Sequence, residues 1–240
     1  MAEAQRPRAE TGPNQDAIWD YFQNEAPQSF SGSRGRLTYL TRLIDPNEKV
    51  LNIGVGDGAF EAAAIKRGLD VWSLDPNEKS MNALRERFGM GRKARTGYAQ
   101  AIPFADRSFA VVVLSEVVEH LSGVILESAL DEIARVLAPG GRLIGTVPAR
   151  ENLAEQTVVC PDCGKRFHRW GHTQSFDPAR VRELLSRNFI DISAWERPFV
   201  TWSALNWKGK LHASIQMLLY SLGIHGQHES VVFIAHKPPV

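Results

Sequence analysis

The chain has 240 residues, 43% of them hydrophobic and 23% charged, which gives enough apolar content for a sizeable buried core. Its 28 basic and 27 acidic residues leave a net charge of +1, so no strong field of one sign marks it for nucleic acid or an anionic membrane. No apolar run reaches membrane-span length, and the opening MAEAQRPRAETGPNQ lacks the apolar stretch of a signal peptide. With only two cysteines, placed together, the composition predicts a cytoplasmic protein with a disordered tail over residues 1–15.

Beyond that tail, DAIWDYFQNEA and RGRLTYLTRLI carry apolar residues at helical spacing, and Asp45-Pro46 stops the second. From Lys49 short apolar runs alternate with amphipathic ones. KVLNI precedes FEAAAIKRG, DVWSL precedes NEKSMNALRERFG, FAVVVL precedes VILESALDEIARVLA, and GRLIGTV follows a Pro-Gly-Gly turn. Strand and helix signals in alternation predict an α/β, doubly wound parallel sheet with helices on both faces. The unbroken run AVVVL suits a central strand covered on both sides. After Val147 the pattern breaks, resumes with the helix DPARVRELLSRN, and closes on the strand SVVFIAHK. The reading is one domain over residues 16–240, with insertions late in the chain.

VLNIGVGDGAF places Gly54, Gly56 and Gly58 between a strand and a helix. Such a turn brings free N–H groups and the positive end of a helix dipole to one point, suited to a carboxylate or phosphate. Asp75 follows about twenty residues on, at the end of the next strand, where an acid can accept hydrogen bonds from ribose hydroxyls. Gly54-x-Gly56-x-x-Ala59 also satisfies the loose dinucleotide fingerprint, so the glycines alone leave nicotinamide and S-adenosylmethionine both open.

Taken together, VLNIGVGDG, SLDPN, AIPFADRSFAVVVLSEVVEHL, EIARVLAPGGRLIGTVP and VVFIAHK resemble the class I S-adenosylmethionine-dependent methyltransferases in order and spacing, strongly over Lys49 to Val147. The resemblance implies a Rossmann-like seven-stranded sheet with its last strand antiparallel and S-adenosylmethionine as cofactor. It also implies donor contacts at Asn52, Gly54, Gly56 and Gly58 for the methionine part, Asp75 and Pro76 for the ribose, Ala99 and Gln100 beside the adenine, and Ser115 from the fourth strand. Two positions depart from the pattern. The family usually has an acid where this chain has Asn52, and often an Asp where it has Tyr98. These departures favour the alternative of a catalytically degenerate binding or scaffold protein.

Ser115-Glu116-Val117-Val118-Glu119-His120 follows the fourth strand. If it enters a helix at Glu116, then Glu116, Glu119 and His120 share one face, the geometry of a general base or of metal ligands. The three are candidate catalytic residues; the bland alternative is that His120 ties down backbone and Glu116 favours a helix start. The spacing also resembles the metal site of the small-RNA 3′-end 2′-O-methyltransferases, with His172 as the added histidine. That implies a second alternative function, a metal-dependent RNA 2′-O-methyltransferase.

VVCPDCGKRFHRWGH spaces Cys160 and Cys163 as C-x-x-C, with His168 and His172 close behind. Two thiolates and two imidazoles suit a tetrahedral structural zinc pinning an insertion over residues 149–175. His172 is the contested ligand, since methyltransferases often carry a histidine there that faces the acceptor. The stretch from FQNEAP through the GVGDG turn to CPDCG and FHRWGH resembles methyltransferases of bacterial surface-glycan and secondary-metabolite gene sets. Finally, TWSALNWKGKLHASIQMLLYSLGI, within a cover segment over residues 199–226, puts Leu211, Ile215, Leu218, Leu219 and Leu222 on one helical face. Internal packing, a lid over the acceptor, a homodimer contact and a peripheral membrane contact all remain open for it. The reading is an S-adenosylmethionine-dependent methyltransferase acting on a hydroxyl of a small-molecule or glycan acceptor.

Overall fold

The structure is a computed structural model and describes residues 14–226 and 229–239. The expected tail falls outside these residues except for Asn14 and Gln15: Asn14 caps the first helix, α1 (Gln15–Asp20), through its side chain. The helical run expected through Ala26 is α-helical only to Asp20. It continues as a π turn, Tyr21–Glu25, and a 3-10 segment, Pro27–Ser33, before α2 (Arg34–Arg42).

The alternating segments follow as β1 (Lys49–Ile53), α3 (Ala59–Lys66), β2 (Asp70–Asp75), α4 (Glu78–Phe88), β3 (Ala94–Thr96), β4 (Phe109–Ser115), α5 (Gly123–Val136) and β5 (Leu137–Pro148). A short hairpin, β6 (Thr157–Val159) with β7 (Arg166–His168), stands apart from the main sheet. The chain then runs through α6 (Pro178–Leu185), β8 (Ile190–Arg197), α7 (Trp207–Ser221) and β9 (Ser230–His236).

The main sheet has seven strands in the order β3-β2-β1-β4-β5-β9-β8. All pairings are parallel except those of β9, which runs antiparallel to β5 and β8. The sheet is therefore the seven-stranded Rossmann-like arrangement with the final strand reversed. Because side chains alternate across a strand, each central strand feeds two cores. Leu51, Val112, Leu114 and Leu143 pack with Leu130 and Ile133 of α5 on one face. Val50, Val111, Val113 and Ile144 pack with Leu40, Phe60 and Met81 on the other.

The cover helix differs from internal packing. On α7 only Ala213 is buried, and Leu211, Leu218 and Leu222 are 56%, 61% and 68% exposed. Among the described residues no helix is long and apolar enough to cross a membrane.

Candidate active site

The carboxyl ends of β1, β2 and β4 meet at one cavity of about 350 Å³. Its donor side is lined by Gly54, Gly56, Asp75, Pro76, Ala99 and Gln100, with Ser115 at the end of β4. Arg36, Glu116, His120, Glu151 and His172 line the cavity as well, and Trp19, Phe22, Phe30 and Trp170 add aromatic walls.

The glycine turn is set by backbone conformation and by space. Gly54 and Gly56 have φ of 84° and 53°, a region that side chains disfavour. A Cβ on Gly54 would also lie 2.6 Å from Cγ2 of Val117, so the turn packs directly on the segment after β4. Gly58 and Asn52 do not reach the cavity. Gly58 begins α3 against Leu84. Asn52 is buried and donates to Oε1 of Glu61 at 2.8 Å, where the Ser73 hydroxyl also donates at 2.7 Å. The methionine-end contact expected of Asn52 is thus replaced by an internal one. Burial pushes the Glu61 carboxyl up to about 7, against the opposing pull of these two donors.

Asp75 is fixed by three donors: the N–H groups of Val55 and Asn77 at 2.9 and 2.8 Å, and the Gln23 amide at 3.2 Å. Its burial raises the carboxyl above the usual range despite these bonds. Tyr98 lines the cavity and donates its hydroxyl to Asp16 at 2.9 Å.

The segment after β4 does not enter a helix at Glu116. Glu116 is left-handed, φ 56°, with its N–H donated to the Thr146 carbonyl at 2.8 Å. A single 3-10 turn, Val118–His120, follows, and α5 starts only at Gly123. Glu116 therefore faces the cavity beside Arg36, whose guanidinium is 3.7 Å from its carboxylate and also donates to Ser115 Oγ at 3.1 Å. Glu119 points elsewhere. It is fully buried, does not line the cavity, and neither carboxylate oxygen has a hydrogen-bond partner. Burial, reinforced by the charge of Glu116, raises its carboxyl well above the ordinary range.

A late loop completes this side. The Thr173 N–H and hydroxyl both donate to the Glu119 carbonyl, at 2.9 and 3.1 Å, which lays His172 against the turn. The His120 and His172 rings meet edge to face, centroids 4.7 Å apart, and His172 stacks on His168 at 4.6 Å. Glu151 bonds His172 Nδ1 at 2.5 Å. Loss of water around His120 pushes its imidazole down to about 3, with His172 beside it adding to the effect. Glu151 carries no motif; tertiary contacts of its neighbours bring it here, among them the backbone bond from Arg150 N–H to the Phe176 carbonyl, 2.7 Å, and the Arg150–Glu196 ion pair.

The four-ligand zinc site is not assembled. Cys160 and Cys163 lie at the tip of the β6–β7 hairpin, where Cys160 N–H bonds the Lys165 carbonyl, whereas His168 ends β7 at its base. A strand rises about 3.3 Å per residue, so the four steps from Gly164 to His168 span roughly 13 Å. Among the described residues, neither cysteine belongs to any cluster of three convergent metal-ligating side chains, while His168 and His172 do. The Cys160 thiol is nonetheless lowered by backbone N–H groups of Cys163 and Asp162.

A glycine turn on β1, an acid ending β2 and a reversed seventh strand define the class I methyltransferase architecture. Residues 51–145 match the methyltransferase domain family. Proteins from Mycobacterium bovis and Mycobacterium tuberculosis described as uncharacterized methyltransferases are 34% identical over 175 residues, which span 71% of this chain and 66% of theirs. Among solved structures, an S-adenosylmethionine-dependent methyltransferase of Thermotoga maritima, described as a possible histamine N-methyltransferase, superimposes with a TM-score of 0.63 at 19% identity, covering 93% of this chain and all of that one. The 1,6-didemethyltoxoflavin-N1-methyltransferase of Burkholderia thailandensis, solved with S-adenosylhomocysteine, gives 0.63 at 16% identity, covering 99% of this chain and 94% of that one. Residues 51–145 thus carry a methyltransferase domain, and the chain has the fold of the solved S-adenosylmethionine-dependent methyltransferases.

Proposed function

We propose that the protein transfers the methyl group of S-adenosylmethionine to a hydroxyl oxygen of a small-molecule or glycan acceptor. The carbon–sulfur bond of the sulfonium breaks with its electron pair going to sulfur, while a carbon–oxygen bond forms in line with it. The hydroxyl proton must leave as this happens, to a group on the cavity wall such as the Glu116 carboxylate, because a neutral hydroxyl is a weak nucleophile. One observation carries the reading. The cavity that the glycine turn lines also holds Glu116, His120, Glu151 and His172. A neutral amine attacks through a lone pair it already carries, whereas a hydroxyl has a proton to lose to such a wall.

The donor half supports the cofactor assignment. Asp75, held rigid by two backbone N–H groups, accepts from the ribose, and the Gly54–Gly56 turn leaves room for the methionine end. Aromatic walls from Trp19, Phe22 and Trp170 exclude water and suit a ring-shaped acceptor face.

The test begins with calorimetry of S-adenosylmethionine and its demethylated product. Methyl-labelled donor is then offered with panels of sugar and small-molecule hydroxyls and of amines. Label on hydroxyl acceptors supports the reading. Label on amines alone overturns the choice of oxygen, and absence of donor binding at millimolar concentration overturns the activity altogether.

A further inference from the structure

We propose that Glu119, His120 and His172 bind a first-row divalent cation at the acceptor wall of the cavity. One ligand atom from each lies within 4.8 Å of the others. Two imidazoles and a carboxylate are a donor set for zinc, manganese or cobalt, and three protein ligands leave positions open for a substrate.

The tautomers favour this triad. His172 Nδ1 is committed to the Glu151 carboxylate at 2.5 Å, so that nitrogen carries the proton and Nε2, on the Glu119 side at 4.0 Å, keeps its lone pair. His120 Nδ1 faces Gln15 at 3.2 Å. The Gln15 amide is satisfied when its oxygen accepts from His120 Nδ1 and Trp19 Nε1, and its nitrogen donates to the Gly171 carbonyl. His120 Nε2 is then also a free lone pair. Each histidine is thus oriented through Nδ1 by an acceptor behind it, the arrangement that outer partners impose on metal-ligating imidazoles.

Glu119 supplies the independent sign of a missing partner. A fully buried carboxyl with both oxygens unbonded is costly, and no donor side chain approaches either one within hydrogen-bond distance. The neighbouring triad of Glu151, His168 and His172 does not compete. His168 Nδ1 accepts the His172 N–H at 3.1 Å, so its Nε2 carries the ring proton towards Glu151 and offers no lone pair.

Ligand atoms around a bound ion sit about 3–3.5 Å apart for metal–ligand bonds near 2.1 Å, so binding closes the cluster by roughly 1 Å. His120 and His172 line the cavity, so the open positions of the ion face the acceptor. An ion there would acidify a coordinated hydroxyl, which deepens and rests on the oxygen-methylation reading above.

The test is metal binding by the full chain, without donor or acceptor. Chelator-stripped protein is titrated with Mn²⁺ and, for its visible bands, Co²⁺; one ion per chain is expected. Glu119→Gln and His172→Ala should each weaken binding at least 100-fold, and Glu151→Gln, which disturbs only orientation, about 10–100-fold. Cys163→Ser should change nothing. No binding by the unmutated chain overturns the proposal, as does unchanged affinity in His172→Ala, whose cavity-edge position keeps the test sound if Glu119→Gln fails to fold. An ion lost in Cys163→Ser but kept in His172→Ala overturns it in favour of the hairpin tip. Stoichiometric binding without any hydroxyl methylation would leave the site standing and sink the function instead.

Discussion

Glu61 and Glu119 are both fully buried glutamates, one behind the donor turn and one behind the acceptor wall, and they resolve burial differently. Glu61 accepts from Asn52 and Ser73 through one oxygen, and only the other is left without a partner. Glu119 has no partner on either oxygen, although two imidazoles stand close. A buried acid with donors is part of the scaffold, whereas one facing free lone pairs is a site that something else completes. The donor half is finished by the chain itself; the acceptor half is not.

The largest expected effect tests that division directly. His172→Ala should lower turnover about 100- to 10,000-fold, the worth of assisted removal of the acceptor proton, which the ion held by His172 would provide. Affinity for S-adenosylhomocysteine by calorimetry should stay within about 2-fold. A parallel loss of both would show that the two halves are not separable.

The next effect concerns Glu61 and has a definite sign. Its folded carboxyl, pushed up to about 7, lies above the ordinary 4.5, so the stabilising neutral form is fully present below pH 4.5 and lost as pH rises through about 7. The contribution is about 3 kcal/mol at most. Denaturant titrations at pH 5 and 8 should show the loss, and Glu61→Gln should flatten it. An unchanged slope in that variant would remove Glu61 from the scaffold account.

With Asp75 as the proposed ribose acceptor, Asp75→Ala should weaken donor binding by roughly 1–3 kcal/mol, leaving acceptor-side metal affinity alone. The smallest effect is expected far from both halves. Leu218→Gln on the exposed face of α7 should change stability by less than about 0.5 kcal/mol in urea melts, since that side chain is 61% exposed. A large loss would mean that the face is covered in solution.

The sheet was legible because its code is local: a buried parallel strand such as Val111–Leu114 announces itself by unbroken apolar residues, and Gly54, Gly56 and Asp75 by fixed spacing from strand ends. Strand β8 escaped because Ile190–Arg197 mixes charged and apolar residues at the sheet edge, with a register shift against β9. The acceptor wall was legible residue by residue but not as a group. His120 and His172 were visible as chemistry, yet their partners Gln15 and Glu151 come from distant segments joined by tertiary contacts. The spacing of Cys160, Cys163, His168 and His172 misled for a related reason. Closeness in sequence becomes separation in space once a hairpin extends between the two pairs.

Asp75 is not waiting empty-handed for the donor. Gln23, in the π turn Tyr21–Glu25, donates its amide to Asp75 Oδ2 at 3.2 Å while accepting from the Ser80 hydroxyl at 2.7 Å. A ribose hydroxyl arriving at that oxygen meets a placeholder, so donor entry there is a substitution of one hydrogen bond for another and not a simple addition. The heat of that contact is a difference between two similar bonds. Gln23→Ala should accordingly tighten the donor slightly and quicken its arrival, turning the glutamine from a structural detail into a brake on how fast the cycle begins.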